Sequence, residues 1–319
     1  MIAALAAAAL ATAPPPIVNG EVTSDQPAAG ALMAVFDGYG MLVCSGTLVE
    51  EDWVLTAAHC VEAVFWVWDK GWDLYFVVGE EIFTGNAIEA YALADYAAYH
   101  PDYDTEYLLY DLGLVHLAES VPTVDPLPMA TDDVGSSWVG ESFTFYGYGA
   151  TSSSLGGTGT KRVVDLAVTE VWETYYLTED AEGRNLCSGD SGGPALREGD
   201  DGWEVVGVNS FVWADAHGVL CDDGGAGVAR LDVGMDWIEG ELAVDAPVGE
   251  GDTSGSSDGE GGGGDGGDDD PDPAETPSGG GGYLPADEPH GCGQASTVAP
   301  VALGWLFGAG WLSGRRRRG

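Results

Sequence analysis

The stretch CSGDSGGPAL, Cys187–Leu196, decides how the rest of this chain is interpreted. It places Ser191 between an aspartate and two glycines, four residues after a cysteine. A serine hydroxyl is a weak nucleophile near neutral pH and needs a base beside it before it can attack a carbonyl group. A surface turn would explain the same residues in isolation, so the interpretation depends on what else the chain supplies.

Two other segments offer the missing partners. The segment LTAAHC, Leu55–Cys60, ends a strand-like run and contains His59, whose side chain titrates near neutrality and can exchange a proton with a serine. The segment YDLGLVHL, Tyr110–Leu117, places Asp111 directly before an apolar strand. Together the three segments offer a serine, a base and a carboxylate, the residue types that nucleophilic catalysis by serine uses.

The pattern between residues 17 and 235 predicts an all-β domain. Short apolar or alternating runs, rich in Val, Tyr, Trp and Phe, are separated by Gly, Asp, Ser and Pro, as in strands joined by turns. The one helix that the sequence predicts is LDVGMDWIEGEL, residues 231–242. The runs interpreted as strands cover residues 31–36, 41–49, 52–58, 74–79, 112–117, 142–149, 162–171, 203–213 and 226–231.

These segments, their order and the stretch IVNG, Ile17–Gly20, resemble the chymotrypsin-like (trypsin-type) serine peptidases. The resemblance extends from Ile17 to the helix at Met235–Leu242, which is nearly the whole globular region, 17–244. It implies two six-stranded Greek-key antiparallel barrels with a C-terminal helix. It also implies a serine endopeptidase that acts on proteins or peptides and uses no cofactor and no metal ion.

The resemblance assigns a role to each of the three side chains. Ser191 attacks the scissile carbonyl carbon, His59 takes the serine proton and returns it to the leaving amine, and Asp111 holds the imidazole in the required tautomer. The backbone N–H groups of Gly189 and Ser191 are expected to form the oxyanion hole that stabilises the tetrahedral intermediate.

The resemblance also pairs Asp190 with Ile17. In this family the carboxylate before the serine binds the ammonium group of a freshly cut N-terminus, and IVNG is similar to the family's mature start. A cut between Pro16 and Ile17 is therefore implied. Because no Lys or Arg precedes Ile17, activation by a trypsin-like enzyme is not expected.

Four of the five cysteines match disulfides of the family. The pair Cys44–Cys60 matches the bridge that staples the histidine loop, and the pair Cys187–Cys221 matches the bridge that flanks the specificity pocket. The fifth cysteine, Cys292, lies far along the chain and is left without a partner in this scheme.

Matching the stretch GRNLCSGDSGG to the family pattern also predicts the specificity pocket. Asn185 falls at its floor, and the walls are assigned to Ser210, Phe211, Val212 and Gly227. Asn185 carries no charge, and Val212 replaces a small glycine at the rim. We therefore expect a small or medium uncharged side chain at P1, the substrate residue before the cleaved bond.

Two rival interpretations stay open. The motif GDSGG also fits the Gly-x-Ser-x-Gly pattern of an α/β-hydrolase, which requires the order Ser, acid, His. The histidines after Ser191 are His217, in an expected loop, and His290, in an acidic stretch, which disfavours that fold. The second rival is a catalytically silent binding or adhesion module on the peptidase fold, although all three catalytic residues are present.

Other titratable residues are interpreted as structural. His100 is expected near a surface turn, and His116 within the strand after Asp111. Some relatives bind calcium near the segment that contains three glutamates of this chain. The spacing does not match a calcium-ligand pattern, so an acidic surface loop is favoured for Glu80, Glu81 and Glu89.

Charge divides the chain into regions. Residues 245–290 contain 13 acidic and no basic residues, among many Gly, Ser, Thr and Pro, which predicts a disordered, self-repelling linker over 245–291. Residues 17–244 contain the other 40 acidic residues and six basic ones, a net charge of −34. Clustered carboxylates repel phosphates, so nucleic acid is excluded as a partner. We expect a monomer.

The two ends of the chain resemble targeting segments. The stretch MIAALAAAALATA is typical of the apolar core of a secretory signal, so residues 1–16 are assigned to a signal peptide and short propeptide. Export would place the chain in a compartment where disulfides form.

The tail, residues 292–319, is expected to reach a membrane. Its uncharged stretch Ala295–Ser313 would span about 28 Å as a single hydrophobic helix, enough for a bilayer core. Arg315–Arg318 would stay on the cytoplasmic side. A Gly-Cys motif at Cys292 followed by such a helix resembles the bacterial C-terminal sorting signals of MYXO-CTERM type, which implies a processing enzyme. A permanent anchor is the alternative; either predicts a protein at the cell surface or outer membrane, or released from it.

Overall fold

The computed structural model describes residues 17–243, apart from 86, 153, 155, 200–201, 215–219 and 223, together with the pair 299–300. The predicted signal peptide, the predicted linker, and the predicted membrane helix with Cys292 lie outside the described residues, except for that pair.

Six antiparallel strands form the N-terminal barrel, after a short strand β1 (Glu21–Val22). They pair in the order β3-β2-β5-β6-β7-β4, and a further pairing of β3 with β4 closes the barrel. Their bounds are β2 (Ala29–Phe36), β3 (Tyr39–Glu50), β4 (Trp53–Thr56), β5 (Asp73–Gly79), β6 (Ile88–Tyr99) and β7 (Gly113–Leu117).

Apolar side chains from alternate strand positions fill this barrel. Leu48, Val54 and Phe76 are fully buried there. The filling is tight enough that a Cβ at Gly30 on β2 would overlap the Phe76 ring, so this strand needs a glycine at that point.

A second set of six antiparallel strands forms the C-terminal barrel. These strands pair in the order β9-β10-β13-β12-β11-β8, the pairing of β8 with β9 closes the barrel, and β1 pairs with the outside of β9. Their bounds are β8 (Ser142–Gly147), β9 (Arg162–Val171), β10 (Tyr175–Glu179), β11 (Pro194–Gly199), β12 (Gly202–Trp213) and β13 (Gly225–Arg230). A two-residue strand β14 (Ala299–Pro300) pairs with Tyr39–Gly40.

The described residues contain two α-helices, so the prediction of a single helix in the globular region is wrong. Helix α1 (Ala58–Asp69) follows β4, and its sequence AHCVEAVFWVWD is rich in aromatic and β-branched residues, which favour strands when taken alone. Its buried residues Val61, Val64 and Val67 recur every three positions, which fits one face of a helix.

Helix α2 (Met235–Leu242) confirms the predicted C-terminal helix, which begins four residues later than expected. Ile238 is buried in the main apolar cluster of the N-terminal barrel, and the Trp237 ring meets His100 edge-on at 5.4 Å. The chain therefore returns to the first barrel after completing the second.

The all-β architecture of two six-stranded barrels and a C-terminal helix is confirmed. Three strands, β6, β10 and β11, were not among the predicted runs. Strand β6 has the sequence IEAYALADYAAY, and its alanines are depleted in strands generally, so its alternation was hidden.

Candidate active site

The pairing of β4 with β7 brings His59 and Asp111 together. Thr56, the last residue of β4, is paired with Gly113, the first residue of β7, so the residues that flank this pair lie side by side. The Asp111 carboxylate accepts hydrogen bonds from Nδ1 and from the backbone N–H of His59 at 2.8 and 2.9 Å. This arrangement leaves Nε2 as the ring nitrogen that can accept a proton.

The surroundings of this pair set its protonation. Asp111 is fully buried, whereas the His59 side chain is 27% exposed. Burial alone would lower the pKa of His59, but the charge of Asp111 and the hydrogen bond to it outweigh burial and raise that pKa above its usual value. Burial alone would raise the pKa of Asp111, but His59 and the hydrogen-bond donors hold that pKa below its usual value. The pair is therefore an ionised carboxylate beside a strengthened base.

Asp111 has a further donor that the sequence analysis assigned to another role. The hydroxyl of Ser210, on β12, donates to Oδ2 of Asp111. The sequence predicts Ser210 in the wall of the specificity pocket, and that position stays a prediction. Its hydroxyl binds this buried carboxylate. A buried carboxylate requires donors for its lone pairs, and the C-terminal barrel supplies this one.

Ser191 lies in the loop between β10 and β11, against the segment that leads to His59. Its carbonyl oxygen accepts a hydrogen bond from the Ser45 N–H on β3 at 2.8 Å. Gly192, with φ of +80°, lies so close to Thr56 that a Cβ would overlap the Thr56 hydroxyl. Only glycine combines this backbone conformation with this approach. The loop is thereby held beside Thr56, three residues before His59.

No hydrogen bond joins the Ser191 hydroxyl to the His59 ring in the described part of the chain. The Nε2 atom of His59 lies 3.6 Å from Sγ of Cys60. Catalytic hydrogen bonds are often long in enzymes without substrate and tighten when substrate binds. The structure therefore joins His59 and Asp111 directly and brings the Ser191 loop into their neighbourhood.

Two backbone N–H groups of the same loop, those of Gly189 and Ser191, donate to no acceptor among the described residues. The carbonyl of Ser188 accepts a hydrogen bond from the Ala150 N–H at 2.8 Å. Because C=O and N–H of a trans peptide point in opposite directions, the Gly189 N–H faces away from Ala150. These two donors are the ones predicted for the oxyanion hole.

Asp190 is buried, and no cationic group of the described residues lies within ion-pair distance of it. Its carboxylate accepts hydrogen bonds from the backbone N–H groups of Cys187 and Gly149, both at 2.8 Å. Burial raises the pKa of Asp190 to about 6, against the opposing effects of these two N–H groups and of the Arg162 charge. A carboxylate in this state would be stabilised by a cation that reached it.

Two glycines that the sequence analysis did not single out make room for Asp190. A Cβ at Gly147 would overlap the Asp190 carboxylate, and a Cβ at Gly149 would lie 2.5 Å from the Asp190 nitrogen. Tyr148 between them is buried and donates its hydroxyl to the Gly79 carbonyl at 2.7 Å. The available signal was the repeated glycine around an aromatic residue at the end of a predicted strand.

Ile17 is buried, and the next residue is clamped to the segment at Asn185. Val18 donates its N–H to the Asn185 carbonyl at 3.0 Å, and Asn185 donates back at 3.1 Å. No hydrogen bond or ion pair joins Ile17 to Asp190 in the region that the structure describes. In this chain the Ile17 nitrogen forms a peptide bond with Pro16 and carries no charge.

The remaining predicted pocket residues lie in different surroundings. Asn185 is buried, its Oδ1 accepts the Leu186 N–H at 2.8 Å, and its Nδ2 has no partner among the described residues. Gly227 is paired with Phe211 across β12 and β13, and a Cβ there would overlap the Phe211 ring. Val212 packs against the apolar cluster around the Cys187–Cys221 disulfide.

Both predicted disulfides are confirmed. The Cys44–Cys60 bridge joins β3 to the first turn of α1, next to His59. The Cys187–Cys221 bridge ties the Ser191 loop to the segment before β13. Loop closures of this size stabilise a fold by about 3 to 4 kcal/mol each in the chain-entropy model.

Two further histidines have structural contacts. His100 begins the turn expected near it, since its carbonyl accepts the Tyr103 N–H at 3.0 Å, and its side chain is buried against Trp237 of α2. His116 on β7 lies between two carboxylates, with Nδ1 at 2.6 Å from Asp95 and Nε2 at 3.6 Å from Asp52.

Glu81 closes its own turn by accepting the Phe83 N–H at 2.9 Å, which fits the acidic surface loop expected there. Glu89 was expected in the same loop but lies on strand β6. Within the described residues, only Cys44, His59 and Cys60 have potential metal-ligand atoms close enough to share an ion. Both sulfur atoms of that group are already joined in the disulfide.

The chain is similar to curated serine proteases of animals. It is 32% identical over 200 residues to the CLIP domain-containing serine protease B15 of Anopheles gambiae, a match that covers 53% of this chain and 53% of that protein. It is 28% identical over 246 residues to a venom serine protease of Polistes dominula, covering 70% and 84%. It is 29% identical over 196 residues to human kallikrein-4, covering 57% and 73%.

The match to the mosquito protease spans about half the length of that relative. The family model described as Trypsin matches residues 17–233, which include both barrels and all three predicted catalytic residues. This chain therefore belongs to the trypsin family of serine peptidases.

Proposed function

We propose that this chain is an exported serine endopeptidase that cleaves peptide bonds through an acyl-enzyme on Ser191. The observation that carries the proposal is the buried Asp111 carboxylate bound to His59, beside a serine loop with two unpaired backbone donors. Burying an ionised carboxylate costs several kcal/mol unless a partner stabilises its charge. Here that partner is His59, the base that a serine nucleophile requires.

In the proposed mechanism, Oγ of Ser191 attacks the scissile carbonyl carbon and its proton passes to Nε2 of His59. The carbonyl oxygen becomes an oxyanion and accepts hydrogen bonds from the N–H groups of Gly189 and Ser191. The C–N bond then breaks, and the leaving amine takes the proton from His59. A water molecule repeats the sequence to release the acid and restore Ser191. One oxyanion donor contributes about 3 kcal/mol to transition-state stabilisation.

The proposed activation step is a cut between Pro16 and Ile17. It would create an ammonium group on Ile17, next to a segment already clamped through Val18 and Asn185. The raised pKa of Asp190, about 6, supports a new cation as its partner, because burial without a counter-charge disfavours the ionised form.

The proposed specificity is for a small or medium uncharged P1 side chain. Asn185 offers an amide and no charge, so it would not pair with Lys or Arg as a carboxylate at the pocket floor does. Val212 carries a branched side chain at the predicted rim, which would narrow the entrance to large residues.

The proposed location is the cell surface or outer membrane. Disulfides form and persist in oxidising compartments, and this chain forms two of them. The apolar stretch Ala295–Ser313 and the site at Cys292 are proposed to tether the domain, through sorting or as a permanent anchor. No helix among the described residues is long and apolar enough to cross a membrane.

Labelling with a fluorophosphonate tests this proposal directly. We expect stoichiometric labelling of Ser191 in chain that begins at Ile17, and no labelling of the Ser191→Ala variant with an unchanged circular dichroism spectrum. The same preparation should cleave peptides with Ala or Val at P1. A correctly folded, processed chain that is neither labelled nor active would favour the silent binding module and contradict the proposal.

A further inference from the structure

Four aromatic side chains form an exposed surface on the N-terminal barrel, which we name the aromatic surface: Phe36, Tyr39, Trp66 and Trp72. The Phe36, Tyr39 and Trp66 side chains are 54%, 49% and 46% exposed. The rings of Phe36 and Trp72 stack at 5.5 Å, and Trp66 meets Trp72 edge-on at 5.5 Å. Phe36 and Tyr39 are paired across the β2–β3 hairpin. Strand β14 (Ala299–Pro300) pairs with the backbone of Tyr39–Gly40 at this edge and leaves the Tyr39 side chain exposed.

The aromatic surface is comparable in size with the largest apolar patch of a typical monomeric protein, which is often functional. An aromatic side chain has about 150 to 250 Å² to bury, so three half-exposed rings present on the order of 300 Å² of apolar area. Exposed patches of a few hundred Å² usually mark binding sites. Helix α1 buries Val61, Val64 and Val67 in the core, so Trp66 is not needed to hold the helix in place.

Two elements lead from the candidate active site to the aromatic surface. His59 and Trp66 are seven residues apart on α1, which places them on one face of the helix about 10 Å apart. On β3, Tyr39 is three residues, or about 10 Å, from Leu42. The Leu42 side chain lies 3.0 Å from the position that a Cβ on Gly189 would take. The aromatic surface therefore begins about 10 Å from the base, and about 10 Å along β3 from a residue that contacts the oxyanion loop.

The direction of a bound substrate follows from the placement of the predicted pocket. Asn185, Val212 and Gly227 all belong to the C-terminal barrel or its loops. The substrate residues before the cleaved bond would therefore lie over that barrel. Those after the bond would continue over the N-terminal barrel, and at about 3.3 Å per residue the third and fourth would reach the aromatic surface.

Charge disfavours two of the occupants that could cover this surface. Residues 17–244 carry a net charge of −34, so a second copy of this chain and an anionic lipid surface are both repelled. The one basic side chain in ring contact there, Lys70, lies 5.6 Å from the Trp66 ring and is already paired with Asp69 at 3.2 Å. An acidic segment would thus find no free cation beside the described rings.

We propose that the aromatic surface binds an apolar segment of a protein substrate, three to four residues after the cleaved bond. This inference rests on the proposed endopeptidase function and adds a preference on the leaving-group side. The enzyme would select substrates by two regions, a pocket before the bond and aromatic rings beyond it.

The test uses chain from Ile17 to Gly319 and two peptides that are identical up to the cleaved bond, with Ala at P1. They differ at the third and fourth residues after it, Leu-Trp in one and Ser-Gly in the other. We expect kcat/KM to be at least about tenfold higher for the Leu-Trp peptide, through a lower KM, which corresponds to about 1.4 kcal/mol. Trp66→Ala and Phe36→Ala should each reduce this preference to about twofold or less.

A matched control is Trp172→Ala, which removes a 51% exposed aromatic residue from the C-terminal barrel and should keep the preference. A short ester substrate without leaving-side residues should be cleaved equally by all variants. Fluorophosphonate labelling separates the two hypotheses. If the enzymes are labelled but show no preference between the peptides, or if Trp66→Ala keeps the preference, the proposed role of the aromatic surface is wrong and the proposed function is unaffected. Unlabelled enzyme would overturn both.

The other occupants give distinct results. Dimerisation in sedimentation analysis that is lost in Trp66→Ala, without any peptide preference, would assign the surface to a second copy. Binding to phosphatidylcholine vesicles that is lost in the same variant, again without a peptide preference, would assign it to a membrane. Either result would overturn the substrate segment as its occupant.

Discussion

Asp111 and Asp190 are both buried aspartates, one in each half of the candidate active site, and their pKa values shift in opposite directions. Asp111 binds His59 and the Ser210 hydroxyl, and its pKa lies below the usual value. Asp190 has two backbone N–H groups and no cation among the described residues, and its pKa is raised to about 6. Burial is common to both, so the partner and not the burial decides the charge.

The two aspartates differ in whether their charged partner is present in the uncut chain. The N-terminal barrel holds the acid-base pair with contacts that are already complete. The C-terminal barrel holds a carboxylate whose predicted partner, the Ile17 ammonium group, does not exist until the chain is cut. Catalytic competence of the proposed enzyme would therefore depend on the second aspartate, although only the first takes part in the proton transfer.

The largest effect should come from Asp111→Asn, which keeps the size of the side chain and removes its charge. Without the carboxylate, His59 loses both its stabilising charge and its fixed tautomer, so we expect kcat to fall about 10⁴-fold. Steady-state kinetics with a P1 Ala peptide measure this. Asp95→Asn, which alters the surface pair with His116, should leave kcat within about twofold and serves as the control. An equal loss of kcat in Asp111→Asn and Asp95→Asn would contradict the special role of the Asp111 charge.

The next effect concerns Asp190 and the pH dependence of stability. In the uncut chain its folded-state pKa of about 6 lies above the usual value of 3.8, so the folded state holds the proton more tightly. The free energy of unfolding should therefore fall by about 3 kcal/mol as pH rises through this range. Urea unfolding at a series of pH values measures it.

Asp190→Asn should abolish this decline in the uncut chain, because no proton is then lost at that position. In chain cut before Ile17, the new ammonium group should lower the pKa of Asp190 and reverse the sign, so that stability rises with pH across the acidic range. A decline that persists in Asp190→Asn, or an unchanged sign after cutting, would contradict the assigned partnership.

The smallest effect should come from Ser210→Ala. Loss of one hydrogen bond to a charged group costs about 1.5 kcal/mol, so kcat/KM should fall about tenfold. With one donor fewer, Asp111 attracts the His59 proton more strongly, and the acidic limb of the pH profile should move to higher pH. Thr144→Ala removes a hydroxyl bond to the exposed Asp165 and should change neither quantity. If the acidic limb of the pH profile does not shift in Ser210→Ala, the role of the Ser210 side chain is packing alone.

The strands were predictable from the sequence because alternating apolar runs are local patterns. The two-barrel architecture and the pairing of Cys44 with Cys60 and of Cys187 with Cys221 were implied by the resemblance to the peptidase family. The resemblance also predicted that His59, Asp111 and Ser191 meet. The structure joins His59 to Asp111, and the catalytic role of all three residues stays a prediction. Their mutual distances required the pairing of β4 with β7.

Features that depend on distant contacts were missed. Helix α1 contains FWVW, whose residue types favour strands, and it is helical because its valines pack into the barrel. The hydrogen bond from the Ser210 hydroxyl to Asp111 was not predicted, because a linear match does not show which way a side chain points. The place of Ser210 in the pocket wall stays a prediction. The roles of Gly147 and Gly149 emerge only when Asp190, about forty residues later, is folded against them.

The clamp between Val18 and Asn185 has a consequence for the timing of maturation. A peptidase needs several consecutive substrate residues in an extended, accessible state, yet Ile17 is buried and its neighbour is paired from both sides. Cutting before Ile17 thus competes with docking of this segment and requires local opening once docking has occurred. If the chain is exported and cut before the second barrel closes, mature enzyme would form directly. If the chain folds first, it would remain an uncut precursor that is converted slowly.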